Sequence, residues 1–253
     1  MAERWQQTFG PEIRLWLAAV GEFEALASLS GFAYEHPEDV FPEFVESGPT
    51  FSGEGIAHPL LPLSKAVRNN LRVGGGIDLV ILSGTNMAGK STFIRSIGMN
   101  VILAQCGATV RAERLTLSPL AVGASICVLD SLAGGTSRFY AEIRRIKLIS
   151  DLAHGPLPVL FLLDELLSGT NSHDRLAGTE YIVNNLLEKG AIGIVSTHDL
   201  ALTQIPATME TRAVNYHFGD SFENGQLLFD YKVKPGVVQT SNALELMRSI
   251  GLV

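Results

Sequence analysis

Gly84-Thr85-Asn86-Met87-Ala88-Gly89-Lys90-Ser91-Thr92 is the stretch that decides the fold. It has the form G-x-x-x-x-G-K-S, and the apolar run Leu79-Val80-Ile81-Leu82 precedes it. Strand, glycine-rich loop and helix, in that order, are the setting in which such a loop wraps phosphate. Glycines let backbone N–H groups approach phosphate oxygens, and the helix N-terminus adds a positive dipole. Lys90 supplies a point charge for the β- and γ-phosphates, the Ser91 hydroxyl suits Mg²⁺, and Thr92 reaches the α-phosphate region. The expectation is a nucleoside-triphosphate site lined by Gly84, Thr85, Asn86, Met87, Ala88, Gly89, Lys90, Ser91 and Thr92.

Downstream, Leu160-Phe161-Leu162-Leu163-Asp164-Glu165 has the form of an apolar strand that delivers carboxylates at its C-terminal end. Asp164 is expected to orient Mg²⁺ through water, and Glu165 to polarise an attacking water as general base. Thr197-His198 ends another apolar run, where a histidine can contact a γ-phosphate or the attacking water.

Around these motifs, residues 77–83 read as a strand buried on both faces, with a helix opening at Lys90 or Ser91. Residues 138–153 read as a helix with Phe139, Ile143, Ile146 and Ile149 on one face and a solvated trio, Arg144, Arg145 and Lys147, off it. Residues 159–163 and 193–196 read as core strands with a helix at 175–188 between them. Residues 213–218 and 227–233 read as hairpin arms, and 240–249 as a last helix. Upstream, 11–28 reads as an amphipathic helix on Ile13, Trp16, Leu17, Val20 and Phe23 that needs a partner surface. Residues 33–63, rich in Pro, Gly and Glu, read as irregular connector. The pattern predicts an α/β fold with a central, largely parallel sheet flanked by helices, plus a short N-terminal helical segment. The expected division is a helical segment and connector at 1–55 and a nucleotide-binding domain at 56–253, in a chain cut from, or reduced from, a longer protein.

Hydrophobic content of 46% with 18% charge supports a core and excludes a disordered chain. Nineteen Lys and Arg against 26 Asp and Glu give a net charge of −7, the wrong sign for a chain whose main task is gripping DNA phosphate. Cys106 and Cys127 form neither a metal-ligand spacing nor a disulfide framework. They are expected as two buried, small apolar side chains in a reducing, cytoplasmic setting. No uninterrupted apolar run approaches the length of a membrane span, and the first residues lack a signal-peptide core.

With its Asn86-Met87 pair and the following Phe93-Ile94-Arg95, the loop resembles the P-loop (Walker A) of the MutS mismatch-repair ATPases, G-P-N-M-G-G-K-S-T. It departs at Thr85, where that family has proline, and at Ala88, where it often has glycine. Further segments match in order. The run from Asp164-Glu165 through Gly169-Thr170-Asn171-Ser172 resembles D-E-x-x-x-G-T-S/N-S, and Ser196-Thr197-His198 resembles A/S-T-H. Residues 132–139 with Glu142 resemble a segment bearing serine, phenylalanine and glutamate, while Asn215-Tyr216-His217 and residues 225–232 resemble the C-terminal hairpin. The N-terminal helix resembles the end of the family's helical lever. The wording of residues 166–175 is closer to a bacterial MutS-related branch than to mismatch-repair MutS.

The resemblance implies a P-loop NTPase of ABC-ATPase type that binds ATP and Mg²⁺ and hydrolyses ATP. Asn86, Glu165 and His198 would be catalytic, and Ser91 and Asp164 would hold the metal. It implies a homodimer through this domain, each copy completing the other's site with Ser137. It also implies that His217 stacks on adenine, with Val67 on the other side of the base. DNA, whether a mismatch or another DNA structure, would be bound by regions of the parent protein outside this chain. Two other readings stand beside it: a nucleotide-gated dimerisation module with little turnover, and an ABC-type ATPase of another system. Against the latter stand Asn86-Met87 and Gly169-Thr170-Asn171, and the L-S-G-G-Q motif is only echoed by residues 132–135.

Overall fold

The run Leu79-Val80-Ile81-Leu82-Ser83 has no polar face, so as a strand it must be covered on both sides. The computed structural model describes residues 2–85, 87–126, 138–208, 212–223 and 226–238. In chain order the elements are α1 (Ala2–Phe9), α2 (Ile13–Glu35), β1 (Glu43–Phe44), β2 (Thr50–Ile56), β3 (Asn69–Gly74), β4 (Leu79–Ser83) and α3 (Lys90–Gln105). There follow β5 (Arg114–Leu117), β6 (Ala121–Ser125), α4 (Arg138–Leu152), β7 (Val159–Asp164) and α5 (Ser172–Glu188). The chain then forms β8 (Ile192–Thr197), α6 (Ile205–Thr208), β9 (Ala213–Glu223) and β10 (Gln226–Pro235).

Among the described residues the result is a mixed α/β fold with two sheets. The larger has six strands in the order β10-β9-β4-β8-β7-β6. Its five strands from β9 to β6 are mutually parallel, and only β10 is antiparallel, at the edge. Side-chain alternation on β4 splits the core. Val80 and Leu82 face α3, packing with Phe93, Ile94 and Ile97, while Leu79 and Ile81 join Ile146, Ile149, Val183 and Leu186 of α4 and α5 on the opposite face. Each such large side chain taken from water contributes about 1.5–3 kcal/mol.

The smaller sheet, β1-β5-β2-β3, packs on the α3 side through Phe51, Leu71, Val73, Leu115 and Leu117. It corrects the expectation of an irregular connector over 33–63, because α2 runs to Glu35 and residues 43–44 and 50–56 are strands. The turn after α2 is pinned by the buried Arg111, whose Nε lies 2.5 Å from Asp39 Oδ1. Antiparallel bonds between Val40 and Val110 fix the same turn.

Two further corrections concern side chains. Cys106 is exposed, not buried, while Cys127 lies outside the described residues. On α4, Ile146 and Ile149 are buried as expected, but Phe139 and Ile143 are exposed. Arg144, Arg145 and Lys147 are solvated, and Lys147 pairs with Asp151. The expected helix at 240–249 also lies outside the described residues. The expected N-terminal helix is longer than 11–28, and α2 buries none of its residues. By averaged hydropathy, rather than by any uninterrupted run, Glu3–Glu35 is long and apolar enough to cross a membrane. Length and composition alone do not assign a helix to a membrane.

Candidate functional site

Parallel strands gather their C-terminal ends on one edge of the sheet, and loops there converge on a crevice. The register makes this concrete: Ser83 pairs with both Thr197 and His217, and Asp164 pairs with Ser196. The loop at 84–89 leaves this edge and turns directly into α3. Gly84 has φ 145°, and a Cβ there would lie 2.9 Å from the Phe218 carbonyl oxygen. Gly89, the N-cap of α3, has φ 103° and makes no side-chain cap, so the first N–H groups of the helix are left for an anion.

Lys90 is buried under its own loop. Its Nζ donates to the carbonyls of Gly84 at 2.8 Å and Thr85 at 3.0 Å, and lies 3.4 Å from Glu165 Oε1. Glu165 Oε2 lies 2.6 Å from His198 Nδ1, and the Glu165 N–H donates to the Ser196 carbonyl at 3.1 Å. Asp164 accepts a hydrogen bond from Ser196 Oγ. A cavity of about 320 Å³ is lined by Thr85, Lys90, Ser91, Thr92 and Glu165. The structure thus brings Lys90, Ser91, Glu165 and His198 together from three separate segments of the chain. Asn86 and Ser137 lie outside the described residues.

The backbone at Glu165 is left-handed, φ 53°, and so is that of Leu167, φ 54°. Such conformations cost non-glycine residues about 1–3 kcal/mol each and persist only where neighbours enforce them. Glu142 of α4 is one enforcer: it is buried, and its Oε1 accepts the Leu167 N–H at 2.8 Å.

A second, larger cavity of about 620 Å³ adjoins the loop through Met87, Gly89 and Thr92. Val67 and Phe218 line it, as does Tyr231. His217 does not. It precedes Phe218 on β9 and so points to the other face, with Nδ1 3.1 Å from the Gly236 carbonyl. Tyr231, and not the expected His217, thus shares the lining of this cavity with Val67. Tyr231 sits in a register shift of β10 with φ 52°, and a Cβ on Gly89 would lie 3.1 Å from its ring. Asn69 bridges the shift, donating to the Tyr231 carbonyl at 2.9 Å and accepting from the Val233 N–H at 2.8 Å. The available signal was the hairpin-like run at 225–232, which contains Tyr231, but strand alternation gives no reason to expect a bulge there.

His58 also lines this cavity, and its Nδ1 accepts from the Leu60 N–H at 3.3 Å. Burial first, and then the nearby Arg95 cation, hold its pKa below the ordinary 6.5. The folded chain therefore binds fewer protons here than the unfolded one. The resulting stabilisation is fully present above pH 6.5 and is lost as pH falls from 6.5 through the folded value. Thermal melts at pH 7.5 and 5.5 are expected to show a smaller acid-side loss for His58→Gln than for the wild type. Equal losses would contradict the assignment.

A glycine loop aimed at a helix N-terminus, beside a lysine–carboxylate–histidine chain, defines a mixed α/β domain with a site suited to anions. Residues 80–252 match the family model MutS domain V, and the chain belongs to that family. It is 31% identical over 245 residues to the DNA mismatch repair protein MutS of Natronomonas pharaonis, covering 92% of this chain and 27% of that protein. The corresponding protein of Thermus thermophilus is 34% identical over 236 residues, covering 92% and 28%. That of Lactobacillus johnsonii is 29% identical over 239 residues, covering 91% and 28%. The chain thus spans little more than a quarter of the length of these relatives.

Proposed function

We propose that this chain is the Mg²⁺-dependent ATP-hydrolysing domain of a MutS-family protein, with the P-loop core of an ABC-type ATPase. The observation that carries the reading is the convergence of Lys90, Glu165 and His198 at the mouth of the 84–92 loop. The first N–H groups of α3 and Lys90 would hold the β- and γ-phosphates. Val67 and Tyr231 would sandwich the base, and a cavity of about 620 Å³ suits a nucleoside.

Among the described residues, no three His, Cys, Asp or Glu side chains cluster to cage a metal ion. That fits Mg²⁺, which keeps waters and substrate phosphates as ligands and takes only one or two protein groups. Ser91 and Asp164 are the groups that would hold it. Once bound, Mg²⁺ would neutralise charge developing on the phosphates. Glu165 would accept the proton of the attacking water. Among the described residues its buried Oε1 has no hydrogen-bond partner, only the Lys90 ammonium at 3.4 Å, and His198 on Oε2 keeps the carboxylate oriented.

Two copies would complete each other's sites through Ser137. The nucleotide state would then gate DNA binding by other regions of a cytoplasmic parent protein. The ATPase unit itself is proposed to begin near residue 43 rather than 56, because β1 and β2 belong to the small sheet. The test is steady-state phosphate release from MgATP. Release no faster than that of Glu165→Gln would remove the hydrolase reading and leave a nucleotide-gated binding module.

A further inference from the structure

The loop that follows Glu165 is gripped from two sides. Glu142 takes its Leu167 N–H, and Arg175 takes its carbonyls. Arg175 Nε donates to the Leu167 carbonyl at 3.3 Å, and Nη2 donates to those of Ser168 at 3.3 Å and Thr170 at 3.2 Å. The remaining arm of the guanidinium, Nη1, reaches Asp199 Oδ2 at 3.3 Å, on the residue after His198. Asp199 is itself fixed, because its Oδ1 accepts from Ala201 N–H at 3.0 Å and its own N–H donates to Thr197 Oγ1 at 2.9 Å. One side chain therefore touches both loops that carry the Glu165–His198 pair.

The position of this arginine is otherwise unfavourable. It stands in the first turn of α5, at the positive end of the helix dipole, where a cation is disfavoured. The helix does not need it, since Asn171 Oδ1 already caps α5 by accepting from the Asp174 N–H at 2.9 Å. Its side chain is only 13% exposed, so what it gains must come from the partners it touches. A planar fork with five donors can serve three carbonyls and a carboxylate at once, whereas a lysine ammonium at the same place cannot.

We infer that Arg175 is a positioning residue that locks the loop after Glu165 to the turn after His198 and thereby sets the Glu165–His198 contact. Its kinetic consequence rests on the hydrolase reading above; its structural consequence does not. The test uses the full chain as wild type, Arg175→Ala, Arg175→Lys and Asp199→Asn. The last breaks the charge link while leaving the three carbonyl contacts in place.

The first measurement is amide hydrogen exchange. Segments 166–171 and 199–204 are expected to exchange about tenfold faster together in both Arg175 variants, with α3 unchanged. Loosening of one segment alone, or of neither, would overturn the coupling. The second is steady-state phosphate release. All three variants are expected to lose about tenfold in kcat, with KM for MgATP within about twofold, and lysine is not expected to restore the rate. A rise in KM matching the fall in kcat/KM, or full rescue by lysine, would overturn the positioning role. If the wild-type chain releases no phosphate, the hydrolase reading fails and the exchange measurement alone decides the coupling.

Discussion

Glu165→Gln is expected to leave MgATP binding within about twofold and to cut phosphate release by about 100-fold or more. The replacement is isosteric, so the left-handed backbone at 165 and the contact with His198 meet the same shape. Lys90 loses a partner at 3.4 Å but keeps the two carbonyls at 2.8 and 3.0 Å. What disappears is the basic oxygen that would take a proton from water. Parallel measurement of equilibrium binding and of steady-state release separates the two effects. A variant that binds and hydrolyses like the wild type would reduce Glu165 to a structural residue.

The largest effect on stability is expected at Asp39. Its carboxylate and the Arg111 guanidinium are both about 1% exposed and 2.5 Å apart. Asp39→Ala would leave a buried guanidinium with no counter-charge, a change that costs about 3–5 kcal/mol. Folded domains hold only about 5–15 kcal/mol in total, so the variant would lose a large share of its stability. Among the described residues, the other hydrogen bonds of Arg111 go to neutral groups: its backbone N–H donates to Asn100 Oδ1 at 2.7 Å, its carbonyl accepts from the Ala57 N–H at 2.9 Å, and its Nη1 donates to the Leu61 carbonyl at 3.4 Å. They cannot neutralise the charge. Removing both charges together, as Asp39→Ala with Arg111→Met, is expected to recover much of the loss, because the desolvation penalty disappears with the ions. Denaturant melts of the three chains decide the matter. A single-variant loss below about 1 kcal/mol would place the pair among those that contribute little.

Much of the site could be read from sequence because its parts are local. The loop at 84–92 sits on consecutive residues, and β4, β7 and β8 are apolar runs whose ends carry Ser83, Asp164 and Thr197. The parallel order followed from the alternation of these strands with helices. The small sheet was hidden because β2, Thr50–Ile56, contains Gly53 and Gly55, which are buried yet give no apolar signal. The abundance of Gly and Glu there resembled a loop.

Tyr231 was missed for a different reason. Its place beside the 84–92 loop depends on a bulge in β10 held by Asn69, 162 residues away in sequence. Arg175 was invisible for the same kind of reason, since its partners on the loop and on Asp199 meet only in three dimensions. Exposure of Cys106 follows from its position at the end of α3, which composition does not encode.

The proposed hydrolysis requires that the 84–92 loop hold a nucleoside triphosphate with Mg²⁺. Equilibrium titration of MgATP into the wild-type chain and into Lys90→Ala, with thermal melts to show that both are folded, measures it. The expected result is saturable, Mg²⁺-dependent binding by the wild type, weakened about 100-fold (~2.8 kcal/mol) in the variant. No saturable binding by the folded wild type, or equal affinity in the two chains, would contradict it.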